Sequence, residues 1–118
     1  MQYLLLIYSE PAGGEAPPQD QLDAEMAEWF AYDEAIRKSG VYVDGNALEP
    51  THTATTLRLK DGERVVTDGP FAETREVLGG YYLVDVPDLD TALDWAAKCP
   101  GARYGSMEVR PITVFDQG

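Results

Sequence analysis

The sequence predicts an α+β fold of the ferredoxin-like kind, an antiparallel sheet with two helices on one face. Three observations carry that expectation. Short apolar or alternating runs recur at 2–9, 53–60, 63–67, 77–86 and 104–115; two stretches of helical period stand between them, at 19–39 and from 88 onward; and Asp61-Gly62 is a tight hairpin signal. The order is strand, helix, hairpin with a further strand, helix, strand.

Residues 2–9 (QYLLLIYS) are almost continuously apolar, the pattern of a central strand buried on both faces. Residues 10–18 hold three prolines and two glycines and read as a loop. The helix over 19–39 takes Asp20 as its N-cap, with Asp23 three residues on, and stops at Gly40. Its apolar stripe is Leu22, Met26, Trp29, Phe30 and Ile36, and Asp33 falls inside that stripe.

Residues 41–48 form a short extended piece broken by Asp44-Gly45-Asn46. TATTLRLK (53–60) and ERVVT (63–67) are the hairpin strands, and Asp68-Gly69-Pro70 punctuates the chain after them. In the strand over 77–86, Gly79-Gly80 marks a bulge or a close backbone approach. The second helix is capped by Asp88 or Asp90, buries Leu89, Leu93, Ala96 and Cys99, and ends at Pro100-Gly101. In the last strand Met107, Val109 and Pro111 alternate with Glu108 and Arg110, and Pro111 indicates an edge or bulge. Two helices cover one sheet face only. A run such as LLLIY cannot leave half its side chains in water, so the other face calls for a second subunit and a homodimer.

With 118 residues the chain is one domain, 1–118, able to bury roughly two-thirds of its unfolded surface without staples. It has 9 basic and 21 acidic residues, a net charge of −12, and no basic cluster, which argues against direct contact with nucleic acid or an anionic membrane. One cysteine allows no internal disulfide, and the opening run is too short and lacks the basic flank of a signal peptide, so a cytoplasmic location is expected. No phosphate loop, nucleophile elbow, zinc spacing or dinucleotide fingerprint is present, so no cofactor and no metal are expected.

Asp68 ends a strand before a Gly-Pro turn, a place where a side chain is held firmly. It is the first candidate for a general base or ligand acceptor, against an Asx-turn of its own backbone. Glu73 and Glu76 bracket Arg75: converging carboxylates would suit acid–base work, whereas a solvated Glu–Arg pair would do nothing. Asp33, in an apolar stripe, must be paired, protonated, turned to a polar cavity, or rotated to the rim. His52, the sole histidine, reads as a surface loop residue rather than a metal ligand. Cys99 reads as a buried thiol, and Tyr8, Tyr81 and Tyr82 as core aromatics or pocket-lining hydroxyls.

The run Asp68-Gly69-Pro70-Phe71-Ala72-Glu73-Thr74-Arg75-Glu76 resembles the DGPFAETKE signature of the YCII-related family, with Arg75 where Lys is usual. Tyr3 to Tyr8, Leu78-Gly79-Gly80, Val86-Pro87-Asp88 and Glu108 to Pro111 also resemble it, so the likeness spans the chain. The resemblance implies a ferredoxin-like fold in the dimeric α/β-barrel group. Members of a related branch look like enzymes on small ring compounds using a His-Asp pair, but the first helix here has no histidine and that pair does not carry over. Members with this signature are associated with sigma factors of transcription initiation. The leading expectation is a homodimer that binds a small organic molecule in a sheet–helix cleft through Asp68, Glu73 and Asp33. Any catalysis there would be cofactor-independent proton transfer of isomerase, lyase or dehalogenating type. The rival is a non-enzymatic accessory protein that works beside a sigma factor through protein contacts, its acidic surface mimicking nucleic acid.

Overall fold

A computed structural model describes residues 1–11 and 17–115; the loop expected over 10–18 lies largely outside the described residues. The elements are β1 (Gln2–Ser9), α1 (Gln19–Lys38), β2 (Tyr42–Ala47), a 3-10 turn (Thr51–Thr53), β3 (Thr55–Lys60), β4 (Glu63–Asp68), β5 (Val77–Asp85), α2 (Leu89–Lys98), the one-turn α3 (Gly101–Tyr104) and β6 (Ser106–Pro111). Four strands form an antiparallel sheet in the order β2-β5-β1-β6. Counting only those four, the order is the 4-1-3-2 of a ferredoxin-like α+β fold, as expected.

Side chains alternate across β1, so Tyr3, Leu5 and Ile7 face the helices while Leu4, Leu6 and Tyr8 face away. The core lies on the helix side. Leu5, Val84, Ile36, Ala92 and Cys99 are fully shielded there, with Tyr3, Tyr32, Tyr82 and Ala96 around them. The opposite face carries Leu4, Leu6, Tyr8, Leu78, Tyr81 and Leu83, all partly exposed. No described helix crosses that face, and no described helix is long and apolar enough to cross a membrane.

The hairpin forms with the expected turn. Asp61 and Gly62 both take positive φ (52° and 81°), the pair of left-handed residues that a tight two-residue turn needs. Its place differs from expectation, since β3 and β4 make a separate two-stranded ribbon. The edge strand beside β5 is instead β2, whose YVDGNA sequence has few strand formers. An edge strand needs only one hydrogen-bonded neighbour. Gly45 also suits this position, because a Cβ there would stand 2.8 Å from the Tyr82 ring.

The expected helix faces are rotated. On α1 the buried residues are Tyr32 and Ile36 with Trp29 beside them, while Leu22, Met26 and Phe30 are exposed. On α2, Ala92 and Ala96 pack inward, and Leu89 and Leu93 are exposed. Between the two helices Tyr32 meets Trp95 edge to face, with ring centroids 6.2 Å apart. Asp20 lies inside the first turn of α1, with Pro18 at the cap; its carboxylate accepts from the Gln21 N–H at 3.0 Å. The Gly79-Gly80 bulge is present, where the register slips between Ile7 and Tyr8.

Asp88 caps α2 as expected, accepting from the Thr91 hydroxyl at 2.7 Å and the Thr91 N–H at 2.9 Å. These bonds, the hydroxyl's first, hold its carboxyl below the ordinary carboxylate range. A depressed folded-state value stabilises the protein above the unfolded value, and this is lost as pH falls through the folded one. Asp88→Ala is therefore expected to lower the melting temperature at pH 7, by a margin that shrinks on titration below about pH 4. Thermal unfolding followed by circular dichroism at pH 7 and pH 3 reads this. An equal margin at both would assign the effect to helix propensity instead of charge.

Candidate functional site

The segment after β4 builds a pocket. Gly69 takes φ 95°, which turns the chain, and its N–H donates to the Ala54 carbonyl at 2.7 Å. The Thr56 hydroxyl donates to the Gly69 carbonyl at 2.8 Å and the Arg58 guanidinium to the Phe71 carbonyl at 3.4 Å. Further on, Arg75 pairs with Glu10 at 2.7 Å, and Glu76 accepts from the Ser106 hydroxyl at 3.2 Å. The loop 69–76 thus bridges the hairpin base and the end of the main sheet.

Beneath it lies a pocket of about 410 Å³, within the size range of small-molecule sites. Tyr8 and Leu78, from the open sheet face, form its floor; Leu48 and Ala54 line its side, and Pro70 and Phe71 of the loop cover it. The walls are mostly apolar, and Glu49 is the carboxylate among them. A hollow of about 400 Å³ adjoins it, sharing Thr51, Pro70, Ala72, Thr74 and Val77 and adding His52 and Glu73. An apolar recess therefore opens onto a mouth carrying an imidazole and a carboxylate.

The three carboxylates singled out by the sequence are not brought together. Glu73 stands at the mouth. Asp68 ends β4 opposite Thr55, is exposed, and lines neither hollow. Asp33 lies across the sheet on α1, at the rim of the core and part-exposed. It accepts from the Tyr82 hydroxyl at 2.9 Å and from Arg37 at 2.7 Å, so both of its oxygens are matched by donors. Glu76 accepts from Ser106 while Arg75 pairs with Glu10, so the ion pair formed here is not one of Arg75 with a glutamate that brackets it. Sequence reasoning passed over Glu49 and Thr51 and placed His52 on an indifferent surface.

Behind the sheet, Tyr32, Tyr82, Trp95 and Tyr42 form an edge-to-face aromatic chain with centroids 5.4 to 6.2 Å apart. Burial, followed by the hydrogen bond to Asp33, pushes the Tyr82 hydroxyl well above the ordinary phenol range. Burial likewise raises the Cys99 thiol to about 11, which leaves it protonated and inert at neutral pH. A hollow of about 260 Å³ between Trp29 and the Gly79–Tyr82 segment is the actual sheet–helix cleft, and none of Asp33, Asp68 and Glu73 lines it.

The fold and this loop-roofed pocket define a ferredoxin-like α+β domain with a site at one end of its sheet. The profile of the YCII-related domain matches residues 1–116, and the chain belongs to the YCII-related family. It is 38% identical over 120 residues to an uncharacterized protein of Rhizobium meliloti (strain 1021), an alignment covering 100% of this chain and 97% of that one.

Proposed function

We propose that the protein is a cytoplasmic homodimer of the DGPFAETKE branch, and that it binds a small, mainly apolar organic molecule under the 69–76 loop. The observation that carries this reading is the pocket of about 410 Å³, roofed by the signature residues Pro70 and Phe71. The apolar walls take the body of the ligand, and a hydrogen-bonding group faces Glu49 or the mouth at His52 and Glu73. Chemistry at this mouth would be proton transfer between ligand and Glu73 or His52, without a cofactor. Asp68, at the hairpin base, is tested beside them. The open sheet face supports the dimer, because its six large apolar side chains need a second sheet to cover them.

The test is a thermal-stability screen against small phenols, lactones, amines and organic acids. A ligand at 100 times its dissociation constant adds about 2.7 kcal/mol, a shift of roughly 10 °C for a domain this size. We expect at least one such compound. Phe71→Ala should lose most of the shift, while Glu73→Gln, His52→Ala and Asp68→Asn identify the polar contact. A screen in which nothing stabilises the folded protein overturns this reading. It would turn attention to the exposed Leu22, Met26 and Phe30 on α1, which lie among acidic residues. That ridge supports a second reading, an accessory role in transcription initiation through contact with a basic protein partner.

A further inference from the structure

The arm formed by β3 and β4 is the part of the chain that a single copy explains least. Among the described residues its backbone ladder pairs only with itself, and every residue from Leu57 to Asp68 is exposed. An isolated two-stranded ribbon is marginal in water. The register sets Leu57 opposite Val66 and Leu59 opposite Arg64 on one face, with Arg58 opposite Val65 and Lys60 opposite Glu63 on the other. The first face is apolar and bare: Leu57 is 54%, Val66 63% and Leu59 73% exposed. The chain's own loop cannot cover it. Thr56 and Arg58, which bond the Gly69 and Phe71 carbonyls, project from the other face. The molecule measures 53 × 47 × 19 Å, with a radius of gyration of 16.9 Å. A compact chain of this length has a radius of about 13.5 Å, so the arm stands off the body.

Charge and area point to the occupant. Residues 55–68 hold three basic residues (Arg58, Lys60, Arg64) and three acidic ones (Asp61, Glu63, Asp68), so the whole net charge of −12 falls on the rest of the chain. The neutral arm is the segment best suited to lie on a second acidic body. The open face of the main sheet spans roughly 400 Å² of flat area, from strands about 4.8 Å apart and a rise of about 3.3 Å per residue. A stable complex ordinarily buries about 800 Å² of accessible surface per partner, so an element beside the sheet would carry the contact toward that size.

We propose that the Leu57, Leu59 and Val66 face of the arm is a clasp that lies on a second copy of this chain. The two arms reciprocate about the dimer axis. The base of each arm borders a pocket whose floor, Tyr8 and Leu78, belongs to the open sheet face, so the second copy also closes that pocket. This rests on the face-to-face dimer proposed above.

The test uses the full chain with Leu57→Thr, Leu59→Thr and Val66→Thr together, which places β-branched strand formers at all three positions and touches none of the core. Sedimentation equilibrium should show dimerisation weakened at least about tenfold, as expected when several apolar interface contacts are truncated. Separately, Leu59→Cys carries a benzophenone label, the native Cys99 being buried. In mixed ¹⁴N/¹⁵N protein its photoproduct should join chains of different isotope. Crosslinks confined to one chain overturn the clasp, as does an unchanged dimer constant in the threonine variant when Leu6→Glu dissociates the dimer. In either case the dimer reading stands. A wild type that is monomeric throughout overturns both.

Discussion

From the proposed dimer, a Leu6→Glu chain is expected to be folded and monomeric at concentrations where the wild type self-associates. Leu6 sits in the central strand β1, opposite Tyr81 on one side and Glu108 on the other, and points away from the helices. Its chain neighbour Leu5 is fully buried in the core, but alternation keeps the two on opposite faces, so the substitution leaves core packing alone. Two-fold symmetry brings a new carboxylate from each copy toward the same interface, next to Glu108 and within a chain already at −12. An uncompensated charge buried in a contact costs about 3–5 kcal/mol, which corresponds to a loss of roughly 10² to 10³ in affinity or more. Sedimentation equilibrium reads the loss and circular dichroism confirms the fold. A Leu6→Glu protein that dimerises as tightly as wild type would remove the open sheet face from the interface.

Much of the fold is legible in the sequence because it rests on local chemistry. Asp61-Gly62 fixes the hairpin turn, and the turn fixes the register down to Thr55 opposite Asp68. Just past the strand ends, the Gly69 N–H still donates to the Ala54 carbonyl, so the hairpin keeps residues 51–54 close to the start of the signature loop. That His52 comes to share a hollow with Glu73 of the signature loop was therefore partly readable from the hairpin, and treating His52 as an isolated residue concealed it. Gly40, Asp88 and the Gly79-Gly80 bulge are legible for the same reason.

Other features depend on partners distant in the chain. Periodicity gives α1 an apolar stripe but not its rotation. The stripe turns so that Tyr32 reaches the Trp95 carbonyl at 2.9 Å and Asp33 meets Tyr82, leaving Met26 and Phe30 in water. The assignment of YVDGNA to the sheet and of TTLRLK to a free arm reverses their strand propensities. Hydrogen-bonding space beside β5 decides it, and no local signal reports that. The pocket is harder still to foresee, since the loop is anchored by Arg75 to Glu10 and by Glu76 to Ser106. Both contacts depend on the assembled sheet.

Gly105→Ala is expected to be among the most damaging single-methyl changes in the chain. Gly105 follows α3 and leads into β6, and its backbone is extended, so the constraint is space and not dihedral strain. A Cβ there would run into the Tyr8 carbonyl oxygen and stand 2.9 Å from the Ser9 Cα. Both are backbone atoms of β1, which is held on either side by β5 and β6 and cannot swing away as a side-chain tip would. Overpacking of this kind costs about 3 kcal/mol, or roughly 10 °C in melting temperature. Gly79→Ala is the control, since its nearest atom would be 3.9 Å away, and it should stay within about 0.5 kcal/mol of wild type. Urea unfolding separates the two. Tyr8 is also the floor of the pocket, so any relief of the clash moves that floor. Gly105→Ala should therefore lose the ligand-induced stabilisation even at temperatures where the protein is still folded. Wild-type stability in Gly105→Ala would mean that β6 does not enter the sheet against the Tyr8 carbonyl, and that the pocket floor is built in some other way.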